Sequence, residues 1–177
     1  MITAIKATDS LGHRWFHGST VCIPEPKLLP SHRRLDFGPG FYLTSNEAQA
    51  TNWAIIKKRR LNEKLAIVSF YEAKFVLEEN HLKIFNFTGP DETWLDYVML
   101  NRTEIHSPND DFDIISGPVA NDNLYETLAL YERKLLTRQE TIVRLKTQKL
   151  ADQICVRTQK ALDRLIFIDC KEVNYGR

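Results

Sequence analysis

The sequence predicts a single α+β domain spanning residues 1–177, built of antiparallel sheets with helices packed on their outer faces. Three observations lead there. The chain has 177 residues, enough for one hydrophobic core and too few for two. Hydrophobic residues make up 43% and charged residues 27%, a globular balance rather than a disordered one. Short β-branched and aromatic runs also mix irregularly with amphipathic segments, which does not make a regular βαβ series. No internal repeat, low-complexity stretch or linker interrupts the chain.

The elements follow in order. Trp15-Phe16-His17 is an apolar strand end closed by Gly18-Ser19. A connection rich in proline (Pro24, Pro26, Pro30) leads through the polar stretch Ser31-His32-Arg33-Arg34. Two glycines flanking Pro39 then force a turn before the strand Phe41-Tyr42-Leu43. Thr44-Ser45-Asn46-Glu47 has the form of a capping box. Ala50, Trp53, Ala54 and Ile56 recur at helical spacing, which predicts a helix over 46–61. Residues 65–76 and 82–85 read as strands. Pro90 opens a helix with Trp94, Leu95, Val98 and Met99 on one face, and Phe112 to Ile115 is a strand stopped by Gly117-Pro118. A helix with a stripe of Leu124, Leu128, Tyr131 and Leu135 follows. A second capping box, Thr137 to Glu140, starts a helix carrying Ile142, Val143 and Leu145. Gln153 to Val156 is a strand, 158–164 is one or two helical turns, and Leu165 to Ile168 is the last strand. Trp15, Trp53 and Trp94 read as core, and Cys155 as a small buried hydrophobe.

Composition also excludes functions. The net charge of +1 rules out a basic nucleic-acid coat, though not a local patch such as Lys57-Lys58-Arg59-Arg60, whose ordinary reading is a solvated helix face. No apolar run reaches the roughly 18 residues of a bilayer span, and no secretory signal is read at the start. Three cysteines, without CxxC spacing, predict reduced thiols rather than a disulfide framework, which fits a cytoplasmic protein, or one delivered into a target cell without a cleaved signal. His13 and His17 are four apart, but Gly12 and the strand-like Trp15-Phe16 argue against a helical pair, so no metal is expected. GxGxxG, GxxxxGK[ST], GxSxG and HExxH are all missing.

Two segments remain: Phe16-His17-Gly18-Ser19-Thr20 and Asp36-Phe37-Gly38-Pro39-Gly40-Phe41-Tyr42-Leu43-Thr44. A histidine at a strand end beside small residues offers a side-chain hydrogen bond and an exposed backbone edge. A tyrosine after a glycine turn offers a flat π-face. Together these suit a planar, amide-bearing ring and its ribose. Taken singly, a strand histidine is more often structural and an FYL strand more often core.

With Ala50-x-x-Trp53-Ala54, Trp94 to Val98, Phe112 to Asp122 and Leu150 to Ile154, these segments resemble the DUF3990 family, bacterial proteins of the ADP-ribosyltransferase superfamily. The resemblance covers nearly the whole chain. It implies an ADP-ribosyltransferase-like fold of split antiparallel β-sheets with peripheral helices, and NAD bound between them as substrate. It places the superfamily's His, Tyr and Glu on His17, Tyr42 and Gln153, the last being a departure. The implied NAD-binding residues are His17, Gly18, Ser19, Arg33, Arg34, Phe37, Gly38, Tyr42 and Thr44, with the imidazole and the phenol lining one crevice. Gly18 would hold the nicotinamide amide, His17 a ribose hydroxyl, and Arg33 and Arg34 the pyrophosphate. The acceptor would be a protein or nucleic acid. The resemblance to stand-alone toxins implies an antitoxin partner, and no membrane.

ADP-ribosyl transfer breaks a bond to a leaving group that departs neutral, so positioning and electrostatics dominate. Gln153 makes hydrogen bonds but is a poor base. The sequence lacks the ExE or QxE pair of arginine-modifying relatives. An acceptor that needs no base, a nearby acid (Asp152, Asp122 or Glu126), and binding without transfer all remain open. The basic stretch 134–149, before Gln153, would suit an acidic acceptor.

Overall fold

The computed structural model describes residues 13–29, 35–73, 82–103, 111–119, 122–147 and 151–174. Strand β1 (His13–Ser19) is followed by β2 (Phe41–Leu43), α1 (Glu47–Leu61), β3 (Ile67–Ala73), β4 (Ile84–Asn86) and α2 (Glu92–Thr103). Then come β5 (Ile114–Val119), α3 (Asp122–Glu132), α4 (Arg138–Lys146), β6 (Ala151–Val156), α5 (Gln159–Leu162) and β7 (Leu165–Glu172). The first sheet has the order β1-β3-β7 and the second β2-β6-β5-β4. All pairings are antiparallel except β4 with β5, which is parallel.

The period-two alternation of each strand sorts its side chains into three clusters. Between the sheets lie Phe41, Leu43, Tyr71, Ile114, Ile154 and Val156, with Trp15 and Phe167 partly buried against them. On the outer face of the first sheet, Phe16, Val68 and the α1 residues Ala50, Ala54 and Ile55 form a second cluster. On the outer face of the second sheet, Ile115 and Cys155 meet Trp94, Leu95, Val98, Leu128, Ile142 and Leu145 from α2, α3 and α4. The expected α+β architecture of sheets with outer helices is thus present.

Several local expectations shift. The N-cap of α1 is Asn46, whose side chain accepts from Gln49 N, so the capping box expected at Thr44 does not form. The box at Thr137 does form, with both reciprocal bonds to Glu140. Strand β5 runs through Gly117-Pro118 rather than stopping there. Beyond the three residues of β4 its flank is an edge, and an edge tolerates proline's missing N–H. Leu135 lies beyond the end of α3 and is 66% exposed, and Val143 is exposed on α4.

The cysteine expectation is overturned. Cys22 and Cys170 form a disulfide, their Cα atoms 5.8 Å apart, and only Cys155 is a free, buried thiol. Neighbouring contacts bring the two together. Cys170 pairs with Ser69 across β3 and β7, while Ser69 Oγ accepts from Ile23 N and Tyr71 donates to Ile23 O. The argument from reduced thiols to a cytosolic setting falls with it. No described helix is long and apolar enough to cross a membrane.

Candidate functional site at the parting of β1 and β2

The two sheets touch edge to edge through one bridge. Phe16 N donates to Thr44 O at 2.9 Å and Thr44 N to Phe16 O at 3.1 Å. In an antiparallel ladder, the backbone groups two residues along face the same side, so Gly18 and Tyr42 should pair next. They do not. The Tyr42 carbonyl takes His17 Nδ1 at 2.6 Å, and the Gly18 carbonyl takes Lys57 Nζ at 2.7 Å. The strands part here, and side chains occupy the edges that a ladder would have used.

The His17 contacts define its state. A carbonyl only accepts, so Nδ1 carries the hydrogen and Nε2 keeps its lone pair. Lys57 Nζ lies 3.4 Å from that Nε2. Burial, and then the Lys57 charge, push the imidazole pKa down from 6.5 to about 3, against the opposing pull of the Tyr42 carbonyl. The imidazole is therefore neutral. It stacks on Phe41 with centroids 4.5 Å apart, which places it on the inter-sheet face.

Tyr42 lies on the other face of β2, packed against the helix-side cluster with Phe37 and Cys155. Its hydroxyl donates to Gly38 O at 2.5 Å and accepts from Phe37 N at 3.2 Å, pinning the turn over 37–40. Burial raises its pKa well above 10. The expectation that imidazole and phenol line one crevice is thus corrected: adjacent strands bring the residues together, but strand alternation sends their rings to opposite faces. Phe37 is fully buried and Gly38 adopts φ +75°. Asp36, just before them, forms a buried 2.9 Å ion pair with Arg102.

Gln153 pairs with Gly117 on β6. The register Leu43↔Ile154 sets it opposite Thr44, on the Tyr42 face. The Asp152 carboxylate is bonded to this junction. Its Oδ1 accepts from Thr44 Oγ1 at 3.2 Å, Ser45 N at 3.2 Å and Ser45 Oγ at 2.7 Å. Ser19 is buried at the end of β1. Arg33, Arg34 and the side chain of Asp122 lie outside the described residues, and Glu126 is exposed on α3.

Two residues were misplaced by sequence reasoning. Lys57 belongs to a run of cations read as a solvated face, yet it lies seven residues after Ala50 and three after Ala54, on the stripe packed against β1. Trp53 was read as core but is half-buried. It sits one helical turn before Lys57, on the same face. The helix and strand meet closely because Gly18 has no side chain. A Cβ there would stand 2.8 Å from Ala54 N and closer still to Ala50 O. Among the described residues, no group of three or more His, Cys, Asp or Glu gathers to hold a metal.

A family described as a protein of unknown function, DUF3990, matches residues 14–167. The chain belongs to it. The match runs from the start of β1 into β7, so it includes the whole junction, and the family description assigns that junction no activity. No curated protein and no solved structure matches the chain.

Proposed function

We propose that this DUF3990 member is an NAD-dependent ADP-ribosyltransferase working where β1 and β2 part. The supporting observation is the Gly18 edge, which β2 does not pair and Lys57 holds, beside a neutral His17. A carbonyl oxygen accepts two hydrogen bonds, so the Gly18 oxygen keeps capacity for a nicotinamide amide next to Lys57. The His17 Nε2 lone pair suits a ribose hydroxyl. Strands β1, β2 and β6 carry His17, Tyr42 and Gln153; β1 meets β2 at the Phe16–Thr44 bridge and β2 pairs with β6. Tyr42 fits a positioning role better than a stacking one, because its hydroxyl holds the turn before β2.

In the reaction, the bond from ribose C1′ to the nicotinamide nitrogen breaks and its electron pair stays on nicotinamide, which leaves neutral. A lone pair of the acceptor forms the new bond to C1′, and the acceptor's proton passes to water. Gln153 carries no charge and is a poor base, so the acceptor is one already nucleophilic. Protein and nucleic acid both offer such groups. An antitoxin that covers this site is the partner implied for a small toxin.

Binding without transfer is the second reading, and the neutral Gln153 favours it. Incubation with NAD, with and without cell extract, separates the two. Nicotinamide release with labelled macromolecule is expected for the transferase, and nuclease or protease digestion then identifies the acceptor. NAD bound with no release under either condition would establish the second reading, and no binding at all would overturn both.

A further inference from the structure

We propose that the Cys22–Cys170 disulfide is a redox switch on this site: it straps the segment after β1 across the sheet beside His17, and its reduction by a dithiol loosens the Gly18 edge and weakens ligand binding. This rests on the reading above, that a ligand docks on that edge.

The register puts switch and site in one row. His17 lies opposite Ser69, and Ser69 lies opposite Cys170. Residues directly opposite one another in a ladder share a face, so the three line up across β1, β3 and β7. The face is the inter-sheet one, where His17 stacks on Phe41. Two strand spacings, about 10 Å, separate His17 from Cys170. The chain leaves β1 at Ser19 and returns over this same face. Ser69 Oγ accepts from Ile23 N at 3.1 Å, Tyr71 donates to Ile23 O at 2.6 Å, and Ile23 packs against the inter-sheet cluster. Among the described residues, the disulfide is the bond that ties the span from Thr20 to Cys22 to the sheet.

With the bridge closed, that span is held from β7. With it open, three consecutive residues are loose between Ser19 and Ile23, immediately after the Gly18 carbonyl and the end of β1. The ladder with β3 and the two bonds to Ile23 do not need the bridge, so the sheet persists while the edge loosens. Both cysteines are only partly buried, which leaves them open to a thiol in solution. One thiolate of the dithiol attacks a bridge sulfur, and the S–S bond breaks with its electron pair on the other cysteine. The second sulfur of the dithiol then displaces the mixed disulfide. The chain gains two electrons and two protons, and the dithiol loses them as it closes to its own disulfide.

The test uses the full chain, oxidised and after dithiothreitol, well below its unfolding temperature. Calorimetry gives the dissociation constant for NAD, amide exchange by mass spectrometry follows residues 16–23, and circular dichroism reports the fold. The reduced chain should stay folded, exchange faster at 18–22 and bind NAD about tenfold more weakly, since ordering one or two further residues on binding costs roughly that factor. Reoxidation should restore both. The Cys22→Ser, Cys170→Ser double variant should match the reduced chain and ignore dithiothreitol, which excludes an effect through Cys155. Equal NAD affinities for folded oxidised and reduced chains would overturn the inference while leaving dinucleotide binding intact. Unchanged exchange at 18–22 would overturn it as well. A reduced chain that unfolds outright would show a staple of the fold rather than a switch. Failure of the folded, oxidised chain to bind NAD would instead remove the dinucleotide reading and this inference with it.

Discussion

Breaking the Cys22–Cys170 bond should cost this chain a large part of its stability. The bridge joins positions 148 residues apart. Closing a loop of that length removes chain entropy from the unfolded state worth about 5 kcal/mol at room temperature. Whole domains are stable by only about 5 to 15 kcal/mol. For a chain of this size, the loss lowers the unfolding temperature by roughly 10 to 20 °C. In the native state the damage is local, because Ser69 and Tyr71 still hold the Ile23 backbone. Urea unfolding followed by tryptophan fluorescence, with and without reductant, measures the effect, and the Cys22→Ala, Cys170→Ala double variant should reproduce the reduced curve. Thiol titration in denaturant should find one reactive thiol before reduction, from Cys155, and three after it. Three thiols in the unreduced chain, or coincident oxidised and reduced midpoints, would refute the reasoning.

His17 should make stability depend on pH. Its folded pKa of about 3 lies below the ordinary 6.5, so in that window the unfolded chain binds a proton that the native chain excludes. Its contribution is fully present above pH 6.5 and is lost as pH falls toward 3. The slope of unfolding free energy against pH should therefore flatten in His17→Gln. Tyr42→Phe strands the Gly38 carbonyl and the Phe37 N–H, and should lower stability by about 1 to 3 kcal/mol in chemical denaturation. Gly18→Ala drives a methyl group into the α1 backbone and should cost roughly 3 kcal/mol. An unchanged melting temperature for that variant would show that α1 and β1 are not in such close contact.

The sequence made the elements legible where periodicity was strong. Alternation at Phe41-Tyr42-Leu43, the stripe Ala50, Ala54 on α1, and the reciprocal cap at Thr137 are local patterns, and local backbone geometry obeys them. The Asn46 cap was misjudged by two residues because Thr44 is drawn into the bridge with Phe16 and into the bond with Asp152. The Gly117-Pro118 pair reads as a stop only if β5 is flanked on both sides for its whole length. The short β4 removes that condition.

The candidate site was half legible. The Phe16–Ser19 and Asp36–Thr44 segments do meet, through the Phe16–Thr44 bridge. Which face each ring occupies depends on register, and a register is a relation between strands that neither strand encodes alone. The same holds for Lys57, whose charge looks solvated until Gly18 admits the helix. It holds as well for Cys22 and Cys170, whose separation in the chain carries no trace of the pairing. Sequence alone determined the α+β class, the helices and most of the strands, because those follow from short-range hydrophobic period and caps. Tertiary structure alone decided the disulfide, the opposite faces of His17 and Tyr42, and the cation on the Gly18 carbonyl, because each is a contact between residues that only packing makes neighbours.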